Sequence, residues 1–282
     1  MTTAGPGRPI GVFDSGVGGL TVVSAVLSRL PRERIVYLGD TARVPYGTRS
    51  AQTVLKYSRN AARFLLRHDV KLLLIACNTA SAAALPGLCS ELPVGVLGAV
   101  EPGAASAAAV TRSGEVGVLG TLATIRSGAY ERALLALIPS LKIHVQPCPL
   151  LVPLVEEGWN DPADPVSQLV VRRYLGELRD RAPRLDTLVL GCTHYPLLRE
   201  TLQLVATELW GHPVTLVDSA EAMAVATEKL LAAQDQLELS MGAELLHPTS
   251  RLRCFVTDEA RVADVAARFL GRALPQVELV DL

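Results

Sequence analysis

The stretch LLLIACNTASAAA at 72–84, with its echo LVLGCTHYPLL at 188–198, decides how this chain folds. Each is an apolar run that stops at a cysteine, passes through two polar residues and continues in a helical pattern. A short apolar run broken in this way suits a parallel strand buried on both faces. The cysteine then stands at the carboxyl end of its strand, where α/β sheets place their ligands. A helix beginning just beyond it aims free amide N–H groups and a positive dipole end at the sulfur. That setting favours thiolate and lowers a thiol pKa from its usual value of about 8.5. Cys77 and Cys192 are therefore a matched pair of candidate reactive thiols.

Outward from these stretches the chain alternates strand and helix. Strands are expected at 9–13, 35–38 and 94–97 around the first cysteine run, and at 115–119, 143–145 and 214–217 around the second. A glycine-rich turn, DSGVGG at 14–19, leads into a helix at 20–30, and helices are expected at 124–137 and 166–181. Residues 42–50 and 147–153 read as irregular, and 237–250 as a loop or hairpin. A strand at 252–256, a helix at 258–271 and a strand at 276–280 close the chain. This βα alternation predicts an α/β protein of two pseudo-symmetric lobes, each a mainly parallel sheet flanked by helices, with the active site in the cleft between them. The first lobe is expected to be discontinuous, 1–99 and 213–282, carrying Cys77. The second is 100–212, carrying Cys192. The C-terminal piece returns to the first lobe because its strands, 214–217 included, need a sheet to join.

Composition narrows the function classes. At 282 residues and 49% hydrophobic the chain can build one large or two modest cores. A net charge of −1, no Lys/Arg run and 4% aromatics favour neither nucleic acid nor a membrane surface as partner. Five cysteines without a CxxC pair fit reduced thiols, and no signal-like segment is seen, so a cytoplasmic protein is expected. The DSGVGGLT turn lacks the lysine of a phosphate loop. The histidines show no zinc-ligand spacing, so no metal is expected. Asp218-Ser219-Ala220-Glu221 reads as a helix cap.

Two thiols of equal standing need a chemistry that uses both. A cysteine nucleophile needs one thiol and a base. A racemase without a cofactor needs two acid/bases, one on each face of the stereocentre, each within roughly 3–3.5 Å of its target. Cys89, Cys148 and Cys254 read as packing residues, the common state of a free cysteine.

The motifs IGVFDSGVGGLTV (10–22), YLGDTARVPYG (37–47), ACNTASA (76–82), VGVLGT (116–121), PLVEEG (153–158) and GCTHYPLL (191–198) resemble those of the glutamate racemase family, in its order and across nearly the whole chain. The resemblance implies cofactor-independent interconversion of L- and D-glutamate, supplying D-glutamate for peptidoglycan. It carries over Cys77 as the base for the D enantiomer and Cys192 as the base for the L enantiomer. Asp14, Ser15, Tyr46, Gly47, Asn78, Thr79, Thr121, Thr193 and His194 carry over as substrate contacts. A homodimer is implied as well. The short stretch before 10 leaves little room for the N-terminal activator site of some relatives, and none is expected.

The residue types suit these roles. Helix starts after Asn78 and Thr193 offer spare amides for a carboxylate, and Pro45-Tyr46-Gly47 offers a loop that does the same; Thr79 and Thr193 are equally plain helix caps. Asp14 suits an ammonium, or proton supply to Cys77, or an ordinary Asx turn. His194 is placed to poise Cys192. Glu156, with Glu157 competing, is its partner through the resemblance. Two alternatives remain: an aspartate racemase sharing both thiols, and a two-lobed small-molecule binder, which would have no use for them.

Overall fold

A computed structural model describes residues 5–239, 251–260, 262–274 and 276–282. The first sheet is entered by β1 (Ile10–Asp14), β2 (Ile35–Gly39), β3 (Leu72–Ile75) and β4 (Gly95–Gly98), linked by helices α1 (Leu20–Arg29), α2 (Ala51–Leu66) and α3 (Asn78–Glu91). Helix α4 (Val100–Val110) crosses to the second sheet of β5 (Glu115–Gly120), β6 (Lys142–Pro147), β7 (Thr187–Gly191) and β8 (Thr215–Asp218). Helices α5 (Leu122–Arg126), α6 (Ala129–Leu137), α7 (Leu151–Glu156), α8 (Pro165–Arg181) and α9 (Arg199–Trp210) flank it. Helix α10 (Ser219–Ala233) returns to the first sheet, which β9 (Leu252–Val256), α11 (Val262–Leu270) and β10 (Val277–Leu279) complete.

All pairings among these strands are parallel. The orders are β10-β9-β2-β1-β3-β4 and β6-β5-β7-β8. Read from the other edge, the second is β8-β7-β5-β6, the same arrangement as β4-β3-β1-β2 in the first. The expected pseudo-symmetry is therefore present in the strand order, with Cys77 following β3 and Cys192 following its counterpart β7. Strands β1, β2, β3, β5 and β7 are buried along their whole length, which explains their unbroken apolar runs. Register does the rest: Phe13 pairs with Ile75 and Gly120 with Gly191, so Ser15, next to Asp14, emerges level with Cys77, and Thr121 with Cys192.

Several expectations need correction. The strand expected to rejoin the first sheet from 214–217 pairs with β7 in the second, so the chain crosses back at Asp218 and not at 213. Helix α10 then packs on α1. One apolar cluster runs through Val23 and Val26 of α1, Met223 of α10 and Leu188 of β7, so the lobes share part of their core. The helix expected over 124–137 is two helices, because Gly128 takes a left-handed φ of +64° that breaks the spiral. The stretch 147–153, expected as irregular, contains the start of α7. The helix at 258–271 is shorter. The expected tail is anchored over its described part, where buried Lys71 donates to the Pro6 carbonyl at 2.6 Å. Of the loop or hairpin expected at 237–250, residues 240–250 lie outside the described residues.

Candidate active site

The carboxyl ends of the two sheets face one another across a cavity of about 380 Å³. The first lobe contributes Ser15, Gly16, Val44, Pro45, Tyr46, Gly47, Thr48, Cys77, Asn78 and Thr79. The second contributes Thr121, Leu122, Pro149, Val152, Pro153, Glu156, Cys192, Thr193 and His194. Every site residue expected from the sequence lines this space except Asp14, which is buried at the end of β1. A larger hollow of about 660 Å³ between α1 and α10 is more open and holds neither thiol, so the smaller one is the candidate site.

Both sulfurs are nearly closed off, each cysteine being 7% exposed. Cys77 is the N-cap of α3, and its Sγ accepts the Ala80 amide at 3.4 Å. The helix start was expected to lower this thiol's pKa, and the opposite is found. Burial, then the Asp14 carboxylate, push the Cys77 thiol up to about 12, against weaker pulls from Ser15 and the Ala80 amide. Desolvation of the anion outweighs the helix end. Cys192 lacks an α-helix at its back. Pro196 has no N–H to close an α-helical bond to the Cys192 carbonyl, so Tyr195 makes a tighter 3.1 Å bond and a 3₁₀ turn, Tyr195–Leu198, intervenes.

The two thiols keep different company. Asp14 is buried at the end of β1, where its Oδ2 accepts the Gly16 amide at 2.9 Å and its Oδ1 has no hydrogen-bond partner. Burial raises its pKa, against the charge of His194 and the amides of Gly16, Gly19 and Ser15. On the other side His194 Nδ1 lies 3.9 Å from Cys192 Sγ, and Nε2 lies 3.0 Å from Glu156 Oε1. Burial alone would lower the pKa of His194, but its bonds to Cys192 and Glu156 outweigh that and raise it to about 10. The imidazole is therefore charged at neutral pH and faces the sulfur. Glu156 is the residue bonded to His194; it sits on α7, held by Arg268, which donates to its main-chain oxygen at 2.9 Å.

Hydroxyls bridge the lobes at the cavity wall. Thr79, Thr121 and Thr124 form a triangle with sides of 2.9, 3.0 and 3.0 Å. Tyr46, which lines the cavity, commits its hydroxyl to Asp40 at 2.6 Å. Sequence reasoning missed Thr124, the apolar wall of Val44, Pro149 and Val152, and Phe269, whose ring meets His194 edge-on at 4.8 Å. None has a local signature; each enters through the tertiary fold.

Gly18 is another residue whose role shows only in three dimensions. A Cβ there would lie 2.7 Å from the His194 ring and closer still to Thr193 Oγ1. Gly18→Ala is expected to displace both and reduce turnover about tenfold, the effect of roughly 1–3 kcal/mol of overpacking, with secondary structure by circular dichroism unchanged. Turnover equal to that of the unmodified protein would show that the contact does not set the histidine.

The family model described as Asp/Glu/hydantoin racemase matches residues 16–227. The glutamate racemase of Syntrophus aciditrophicus is 53% identical, with 98% of this chain and 97% of that protein covered. Among solved structures, a glutamate racemase isoform of Bacillus anthracis is 38% identical with a TM-score of 0.86, covering 98% of each chain. The glutamate racemase of Francisella tularensis, solved in complex with D-glutamate, is 34% identical with a TM-score of 0.86 and the same coverage.

Proposed function

This chain belongs to the Asp/Glu/hydantoin racemase family and is an amino-acid racemase, and from that premise we propose that it interconverts L- and D-glutamate with Cys77 and Cys192 as its two acid/bases. The observation that carries this reading is the pair of thiols at equivalent strand ends, lining one cavity from opposite lobes.

The chemical obstacle is that a Cα–H bond is far less acidic than a thiol. The site must hold the developing negative charge with fixed donors in a space closed to water. Spare amides at the start of α3, the hydroxyls of Thr79, Thr121 and Thr193, and the main chain of Tyr46 and Gly47 supply those donors. With L-glutamate bound, the Cys192 thiolate takes the Cα proton and the Cys77 thiol gives its own to the opposite face. D-glutamate leaves behind a thiol at 192 and a thiolate at 77. The reverse reaction runs the same steps backwards. The surroundings suit this division: the His194 imidazolium stands 3.9 Å from Cys192 Sγ, while burial holds the Cys77 proton at neutral pH and Asp14 acts on the same thiol. No step calls for a prosthetic group.

The same reading carries a cytoplasmic enzyme, acting as a homodimer, that supplies D-glutamate to peptidoglycan. No helix of the described residues is long and apolar enough to cross a membrane. The deciding assay incubates the protein in D2O with each enantiomer of glutamate and of aspartate, following optical rotation and Cα deuterium. Inversion of both glutamate enantiomers is expected; inversion of aspartate alone, or of neither, would overturn the assignment.

The pKa of His194 gives a pH signature. Raised from 6.5 to about 10, its charged form contributes stability fully below pH 6.5, and that contribution is lost as pH rises through 10. The alkaline limb of kcat/KM should follow the same ionisation. Glu156→Gln removes the anion at Nε2 and is expected to move that limb down by about one pH unit. A limb at the same pH in both proteins would exclude the Glu156–His194 contact as its origin.

A further inference from the structure

Asn78 reaches the cavity as the first residue of α3, in the first lobe, yet the partners of its side chain all belong to the second lobe or to the crossing into α10. Tyr130 Oη donates to Asn78 Oδ1 at 2.7 Å. Asn78 Nδ2 donates to Ser219 Oγ at 3.3 Å, and Ser219 Oγ donates to the Leu190 carbonyl at 3.0 Å. Asn78, Tyr130 and Ser219 are 2%, 1% and 1% exposed, so no water competes for these bonds.

The direction of each bond follows from the last one. A carbonyl accepts only, so Ser219 gives its proton to Leu190 and keeps lone pairs for a donor. That donor is the Asn78 amide nitrogen, which leaves Oδ1 to receive the Tyr130 proton. Rotating the amide by 180° would set Oδ1 against Ser219, whose proton is already committed to Leu190. Leaving a buried polar group unpaired in this way is disfavoured. The amide is thus locked in one orientation, with one N–H used by Ser219 and the second left for a ligand.

Tyr130 is itself fixed by packing. Its ring lies 3.1 Å from where a Cβ on Gly191 would stand, and its hydroxyl 3.0 Å from one on Gly103, so larger residues at either position would dislodge it.

We infer that Tyr130 and Ser219 are positioning residues for the reaction: together they set the Asn78 amide so that its free N–H meets a carboxylate oxygen of glutamate, and they do so only with the lobes together. The inference rests on the glutamate reading above and adds two residues to it. It also links amide orientation to lobe closure, because Asn78 alone has no reason to prefer one face.

The test is steady-state kinetics in both directions on Tyr130→Phe, which keeps the ring, and on Ser219→Ala. Each is expected to raise KM about three- to tenfold, the worth of one hydrogen bond, with kcat changed less than KM. The Tyr130→Phe/Asn78→Ala double variant is expected to match Asn78→Ala alone, since no amide remains to be set. Thermal melts accompany each variant, and if one fails to fold the other still decides. A lowered Tm with unchanged KM, or equal KM effects of Tyr130→Phe with and without Asn78, would reduce the relay to a structural contact and overturn the inference. An unmodified protein that fails to invert glutamate would instead sink the substrate reading.

Discussion

Replacing either Cys77 or Cys192 with serine is expected to lower the rate of inversion at least about a thousandfold. General acid/base groups contribute on the order of 10²–10⁴ in rate, and in the proposed scheme each thiol serves as base in one direction and acid in the other. A serine hydroxyl is a far weaker acid than a thiol and close to it in size, so the fold survives while proton transfer does not. The variants should differ in what they retain. With serine at 192, Cys77 still faces one side of the stereocentre, and slow uptake of deuterium from D2O is expected into D-glutamate only. With serine at 77 the uptake moves to L-glutamate. The products keep their configuration in both cases, since the opposite proton donor is missing. Inversion by either variant within tenfold of the unmodified rate would mean that one thiol suffices.

The second large effect is expected at Asp14, and it separates activity from stability. Its Oδ1 has no hydrogen-bond partner, and burial raises its pKa. A carboxyl with a raised folded-state pKa binds its proton more tightly folded than unfolded. It therefore destabilises the native state above that pKa, and the penalty vanishes below the usual carboxylate value of 3.8. Asp14→Asn removes the charge while keeping the shape. Its kcat is expected to fall about a hundredfold, because the proposed scheme has Asp14 return a proton to Cys77. Its Tm at pH 7 is expected to equal or exceed that of the unmodified protein, with the gap closing as pH is lowered towards 4. A fall in Tm along with activity would mark Asp14 as a structural turn residue.

Much of this was written in the chain. The two cysteine runs announced buried parallel strands because both of their faces are covered, and the pleat has no polar side to confuse the reading. The candidate residues next to those strand ends, from Cys77 to Thr79 and from Cys192 to His194, came with them and line one cavity. What the sequence concealed has a physical source in each case. Thr215–Asp218 is a short strand whose choice of sheet depends on which lobe offers a free edge, and β7 offered one. The pKa of Cys77 was misjudged because a helix start is visible in sequence and the depth of burial is not. Pro196 was visible, but its effect on the Cys192 carbonyl needed the turn to be drawn residue by residue. Tyr130, Gly18 and Phe269 reach the site from distant parts of the chain, and only assembly brings them there.

The unlike neighbours of the two sulfurs impose a constraint of their own. Mirror-image amino acids have the same free energy in an achiral solvent, so kcat/KM must be identical in the forward and backward directions at every pH. An acid beside one thiol and a charged imidazole beside the other cannot bias the enzyme towards either hand. They can only apportion a shared ratio differently, giving one enantiomer faster turnover with looser binding and the other slower turnover with tighter binding.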